Sequence, residues 1–262
     1  MSLTPFQRDV LQIYPLPRLF AVVSWGCAGT AWLARALNSH PDVFCVHALA
    51  TTWRIFVEAP SSNNTINYVD YMRLVGAQGH GHAVAGDVHG VSCHTIPALQ
   101  EEFGEAFRVA VMVRDPLPRL RSQLALMERL KKHTSWGDLG YVDDMAISRG
   151  LDPNGWTYSD RLRFHAVNML NSIVDEVTIG PIYKLEDVAS RQDVLLELFD
   201  YLTGGLSVPT WWADYVGRLA PINSHSRIVD SASLDVCSDF LHQVVRPEAW
   251  EHYRNLGYTV DL

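Results

Sequence analysis

Three short segments carry residues whose types and spacing could do chemistry. From Val22 to Leu33 the chain reads Val-Val-Ser-Trp-Gly-Cys-Ala-Gly-Thr-Ala-Trp-Leu. An apolar run, Leu19 to Val23, passes into small residues. A helical pattern follows, with Trp32, Leu33, Ala36 and Leu37 on one face. That order predicts strand, tight loop, helix. The loop amides and the unpaired N–H groups at the helix mouth then converge on one spot, and the helix dipole adds positive potential. Such a spot suits a phosphate or sulfate. The second segment runs Val113-Arg114-Asp115-Pro116-Leu117-Pro118-Arg119-Leu120-Arg121-Ser122. Arg114 closes an apolar strand, and Ser122 lies eight residues on, inside the next helix. A guanidinium and a hydroxyl so spaced could grip one phosphate. Alone, the same Arg-Asp-Pro reads equally as a structural turn with a salt bridge. The third segment supplies bases: His47 after Val43–Val46, and Asp87, His89 and His94 after Ala83–Val88. Imidazole titrates near neutrality, which suits proton transfer. Asp87 and His89 share a face if the strand continues through them. For His47 and His89, a structural bond to a backbone carbonyl is the competing reading.

The elements that must position these residues follow from periodicity. Strands are expected at Leu19–Val23, Val43–Val46, Ala83–Val88, Arg108–Val113 and Val177–Tyr183. Helices are expected up to Asn38 and over Ile66–Val75, Leu117–Lys132, Ser159–Val174, Asp193–Thr203 and Ser238–Leu256. Strands alternating with helices predict an α/β fold, with a central parallel sheet of about five strands flanked by helices. Residues 1–262 read as one domain. Residues 133–158, rich in Gly, Asp and aromatics, read as a mobile lid over an acceptor. Trp136, Tyr141, Trp156, Tyr158, Trp211 and Trp212 are candidates to line an acceptor pocket. For most of them the core is the stronger reading.

Bulk properties narrow the function classes. The chain has 262 residues and a net charge of −8, which argues against a nucleic-acid partner. Lysine occurs only at 131, 132 and 184, so anion recognition rests mostly on Arg and backbone. Cys27, Cys45, Cys93 and Cys237 show no paired spacing and read as reduced thiols of a cytoplasmic protein. The N-terminus lacks a basic-then-apolar leader, and the uncharged run 19–34 is too short and too rich in Gly and Ser to span a bilayer. No membrane anchor is expected. Two metal lures fail. Gly86-Asp87-Val88-His89-Gly90 matches one metallophosphoesterase motif, but the downstream motifs that would complete a two-metal centre are absent. His80-Gly81-His82 lacks a third ligand and reads as a glycine-flexed turn.

Taken in order, the motifs resemble the PAPS-dependent sulfotransferases of bacterial type, which have a P-loop-like fold. The matching pieces begin with Ser24-x-x-x-x-Gly29-Thr30-x-Trp32-Leu33 and His40-Pro41-Asp42-Val43. Arg114-Asp115-Pro116-x-x-Arg119-x-x-Ser122 follows, then Tyr183-Lys184-Leu185-Glu186-Asp187-Val188 and Tyr253-Arg254-Asn255-Leu256-Gly257-Tyr258. The resemblance implies transfer of a sulfuryl group from 3′-phosphoadenosine 5′-phosphosulfate (PAPS) to a hydroxyl or amine, leaving PAP, with no metal. The acceptor would be a small molecule, a carbohydrate or a lipid. By position, the loop Cys27, Ala28, Gly29, Thr30 and Ala31 would cradle the 5′-phosphosulfate, and Trp32 would stack on adenine. Arg114 and Ser122 would bind the 3′-phosphate. His89, or else His47, would be the base, with Asp87 beside it. Two departures stand out. Cys27 occupies the place of a lysine that stabilises the leaving oxygen, and Leu185 occupies a usual tyrosine place. Arg54, His47 and Arg18 are candidates for the missing charge, or the loop amides suffice. Cys27 also motivates a second reading, a PAPS- or PAP-binding protein with weak or no turnover. A P-loop-type kinase is third, disfavoured because no Gly-x-x-x-x-Gly-Lys-Ser/Thr occurs.

Overall fold

A continuous apolar strand buried on both faces belongs in the middle of a parallel sheet, and β1 (Arg18–Val23) sits there. The computed structural model describes residues 15–24, 26–47, 68–130, 140–220 and 238–260. β1 leads through the loop into α1 (Thr30–Leu37) and β2 (Val43–His47). Then come α2 (Tyr68–Gln78), β3 (Val84–Val88), α3 (Ile96–Phe103) and β4 (Arg108–Val113). The helices α4 (Pro116–Leu130), α5 (Gly140–Ser148) and α6 (Tyr158–Asn168) follow. β5 (Ile182–Lys184) precedes α7 (Leu185–Ser190), α8 (Gln192–Thr203), α9 (Trp212–Gly217), α10 (Ser238–Val244) and α11 (Pro247–Asn255).

The five strands are all parallel, in the order β2-β3-β1-β4-β5. The fold is α/β, with helices on both faces of the sheet. The described residues cluster into two compact units. One is built from the chain up to Val113 and the stretch from Asp175; the other from Arg114–Val174 and the C-terminal helices.

In the sheet unit, side chains alternate between two cores. Phe20, Val22, Val84 and Val88 face Leu33 and Leu37 of α1, Leu198 and Phe199 of α8 and Trp212 of α9. Leu19, Ala21, Val23 and Ala85 face Met72 and Val75 of α2 and Leu99 of α3. Gly86 is required: a Cβ there would lie 2.4 Å from the Phe20 ring in the neighbouring strand. The chain runs from β1 to β2 on one side and, after β3, crosses to β4 on the other. That reversal beside β1 is the topological switch at which open α/β sheets bind ligands, outside the strands' carboxyl ends.

In the second unit, a capping box between Thr157 and Asp160 opens α6. Arg161 of α6 grips Asp143 of α5 through two bonds of 2.7 and 2.9 Å. Arg119 of α4, 3% exposed, donates to the Tyr253 hydroxyl of α11 at 3.1 Å. Asn171 donates to Val244 O and accepts from Arg246 N, clasping the break between α10 and α11.

Three boundaries differ most from expectation. The strand expected at 177–183 begins only at Ile182. Gly180 lies so close to β4 that a Cβ would meet Val109 O at 2.4 Å, and Pro181 has no N–H for a ladder. The helix expected over 238–256 is two helices, because Pro247 opens the second. The helix expected over 159–174 ends at Asn168 and continues as a 3-10 turn, Met169–Ser172. Of the expected lid, residues 133–139 lie outside the described residues, as do Lys131, Lys132 and Trp136. No helix among the described residues is long and apolar enough to cross a membrane.

Candidate functional site

The loop after β1 is bent by its backbone. Gly26, Cys27 and Gly29 have φ of 23°, 60° and 73°. Among the described residues only Cys27 and His89 are non-glycine with positive φ. Such a curl turns successive N–H groups to one side and makes an anion-binding concavity. Its last residue, Gly29, is the N-cap of α1; no side chain caps the helix, and its first turn holds no acid. The first intrahelical bond is Leu33 N to Gly29 O, 3.0 Å. The amides ahead of it therefore suit an outside acceptor. Ser24, at the loop's start, is 5% exposed, and its Oγ has no hydrogen-bond partner among the described residues. Leu185 covers Gly29: a Cβ there would lie 2.4 Å from the leucine side chain.

The turn after β3 presents the second half of the site. Asp87 is fully buried; it accepts from the Tyr71 hydroxyl at 3.0 Å and from Gly90 N–H. A Cβ on Gly90 would sit 2.2 Å from the Asp87 carboxylate. This latch makes the turn tight and drives His89 to φ 78°. The strand thus stops at Val88, and Asp87 and His89 do not share a face, contrary to the expectation for a continuing strand. The Gly-Asp-Val-His-Gly motif is in this way accounted for as a turn. His89 N donates to Val22 O at 2.9 Å, and its Nδ1 lies 2.5 Å from Ser24 O. A carbonyl only accepts, so Nδ1 carries a proton. A neutral His89 then has its lone pair on Nε2.

His47 ends β2 on the face that packs against α1. Its Nε2 is 3.0 Å from Thr30 Oγ1, and its ring stacks on His89 with centroids 5.8 Å apart, 19° from parallel. Burial, and secondarily the neighbouring His89, lower its pKa to about 4, so it is neutral at pH 7. Cys45, two residues earlier, is pushed up by burial and by Asp87 and stays a thiol.

Comparisons with known proteins bear on this arrangement. The sequence matches no protein-family model and no curated protein. A sulfotransferase from Alicyclobacillus acidocaldarius superposes with a TM-score of 0.54, covering 94% of this chain and 98% of its own, at 15% identity. The sulfotransferase STF9 from Mycobacterium avium superposes with a TM-score of 0.51, covering 96% of this chain and 80% of its own, at 9% identity. The chain has the sulfotransferase fold.

Within that sulfotransferase fold the other expected site residues fall as follows. Arg114 follows directly on β4 and is half-buried; Ser122 lies on α4, 5% exposed. Asp115 between them accepts from Leu117 N at 3.0 Å and so opens α4 as its cap. Trp32 is 8% exposed and belongs to the core with Leu33 and Leu198, so its ring offers little face to a base. Trp212 is fully buried against Phe199 and His40; Trp211 is half exposed. Of the candidates for the missing charge, Arg18 stands at the opposite end of β1 and donates to Gly204 O. Arg54 lies outside the described residues. His47 is beside the loop, uncharged. No cluster of three or more metal-ligating side chains occurs among the described residues. His82 instead meets Gly79 O, with its ring on Phe44.

Sequence reasoning missed three features of this site: the Ser24 carbonyl that orients His89, the Thr30–His47 contact, and the leucine over Gly29. The first two join residues 65 and 17 positions apart. Only the glycine at 90, where no side chain fits, left a readable trace of the turn.

Proposed function

We propose that the protein is a sulfotransferase that takes the sulfuryl group from PAPS and gives it to a hydroxyl or amine. The observation that carries this reading is the pairing of an uncapped helix mouth with a histidine whose Nδ1 is tied to the backbone. The amides of Ala28 to Ala31 hold the 5′-phosphosulfate, aided by the Thr30 hydroxyl. The curled loop and the buried Ser24 hydroxyl support an oxygen-rich ligand there. His89 Nε2 takes the acceptor's proton as the acceptor oxygen or nitrogen bonds to sulfur. The bridging S–O bond breaks, and its electron pair stays on PAP. The reaction demands positioning and charge stabilisation more than covalent help. Asp87 is a positioning residue, since its carboxylate is engaged in the turn that presents His89. Resemblance alone assigns the 3′-phosphate to Arg114 and Ser122. Trp32 receives no adenine-stacking role, because it lies in the core.

Calorimetric titration with PAP, alongside release of PAP from PAPS across a panel of acceptors, tests the reading. Binding with acceptor-dependent turnover is expected. Arg114→Ala is expected to weaken PAP by about 1.5–3 kcal/mol and to leave adenosine 5′-phosphosulfate unchanged, because only PAP carries a 3′-phosphate. Equal losses for both ligands would remove Arg114 from that role. Tight PAP binding without turnover would point to a binding protein, and ATP preferred over PAPS to a kinase.

A further inference from the structure

The loop that is to hold a multiply charged anion contains no cation. No Lys or Arg occurs between Arg18 and Arg35. Arg18 is bound at the far end of its strand, and Arg35 is exposed in the last turn of α1. Among the described residues, the basic side chain shown to touch the loop's helix mouth is His47, through Thr30. We infer that His47 supplies this charge conditionally, neutral while the loop is empty and protonated when the 5′-phosphosulfate is seated. This deepens the proposed function and rests on it.

Geometry carries the argument. Thr30 is the first residue of α1, so its hydroxyl and its amide belong to the same mouth. A neutral His47 can accept the Thr30 proton on Nε2. An imidazolium cannot accept; it must donate from Nε2 to Thr30 Oγ1. Protonation therefore reverses that hydrogen bond and lets the Thr30 hydroxyl donate to the anion. One proton changes both the charge and the donor count of the site.

The surroundings explain why the charge is absent beforehand. On the face of β2 that carries His47, the ionisable neighbours among the described residues are His89 from the turn after β3 and Cys45 two residues back. From α1, Thr30 does not titrate. Asp87 sits in register beside Val46, on the other face of the sheet. Among the described residues no carboxylate therefore shares that face of β2, and the ring is largely out of water. Burial and the stacked His89 hold it at about 4 in the empty protein. A seated anion brings opposite charge within a few ångströms of a part-buried ring, where such charges act strongly. The stacking also limits the pair to one proton in the ground state, because two imidazoliums face to face repel. The proton on His47 keeps His89 neutral in the ground state.

Binding that takes up a proton weakens as pH rises. The sign follows from the direction of the change: the free protein has the lower pKa and the complex the higher, so affinity falls between the two values and levels off above the second. The experiment is calorimetry of PAP binding at pH 7.5 in two buffers of different ionisation enthalpy, which counts protons directly. At that pH the phosphates are already ionised, their second pKa being about 6. The expected result is uptake of up to about one proton by the native protein, with affinity falling by up to about tenfold per pH unit. His47→Gln is expected to bind PAP more weakly, with uptake near zero and a flat pH profile. His89→Gln is expected to keep the uptake. In Cys27→Lys a permanent ammonium should suppress the uptake, since it repels a second charge. PAP binding without uptake, or uptake that survives His47→Gln, overturns the inference and leaves the proposed function standing. No PAP binding at all overturns the proposed function, and the inference with it.

Discussion

The two ends of the sheet treat their polar groups in opposite ways. Where the strands begin, side chains are tied to backbone. Arg18 donates to Gly204 O, and the buried His40 uses both nitrogens: Nε2 meets Ser207 O at 3.2 Å, and Nδ1 accepts from Asp42 N at 3.2 Å. Its ring packs against Phe199 and Trp212. Where the strands end, the helix mouth is uncapped and Ser24 Oγ is buried without a partner among the described residues. There His89 ties Nδ1 to a carbonyl. On the proposed reading, the same residue type serves structure at one end and chemistry at the other.

That contrast can be broken, and the largest effect should break it most cleanly. Replacing His89 with Gln is expected to lower kcat on the order of 10²–10⁴-fold, with the melting temperature nearly unchanged. A variant that melts early and keeps its residual rate per folded molecule would make His89 structural, like His40. Next comes Gly90→Ala, whose methyl must enter the space of the Asp87 carboxylate and the Tyr71 hydroxyl. Denaturant unfolding should show a loss of about 2–4 kcal/mol, as for other buried clashes in a polar network. A loss under half a kcal/mol would mean that the turn relaxes freely. The smallest effect sharpens the other end. His40→Ala should cost about 1–3 kcal/mol of stability through lost bonds and packing, while PAP affinity stays within about twofold. A large change in PAP affinity in that variant would erase the distinction between the two ends.

Much of this was legible before any coordinates. The apolar run ending in small residues predicts the loop after β1, and the β/α alternation predicts the parallel sheet. Trp32 is instructive. The helical pattern placed it on the buried face with Leu33 and Leu37, while the resemblance gave it a ligand, and the pattern agrees with its burial. The break at Pro247 was missed, although proline lacks the N–H that a continuing helix needs. Other features were beyond sequence. That His89 takes a left-handed conformation depends on a carboxylate gripping an amide three residues on, and that its Nδ1 is claimed depends on a carbonyl from another strand. Local periodicity reports which face a side chain takes, and it is silent on which distant backbone atom will meet it.

The lack of a permanent cation in the loop has a kinetic side. The chain as a whole carries a charge of −8, so a polyanionic nucleotide meets, on average, a repelling field on its way in. Dissolved ions shorten the reach of that field to about 10 Å at 0.1 M. On the proposed reading, capture of the 5′ end then depends on amide dipoles that act only at close range, while Arg114 meets the 3′-phosphate, and moderate ionic strength should hasten arrival by weakening the net repulsion.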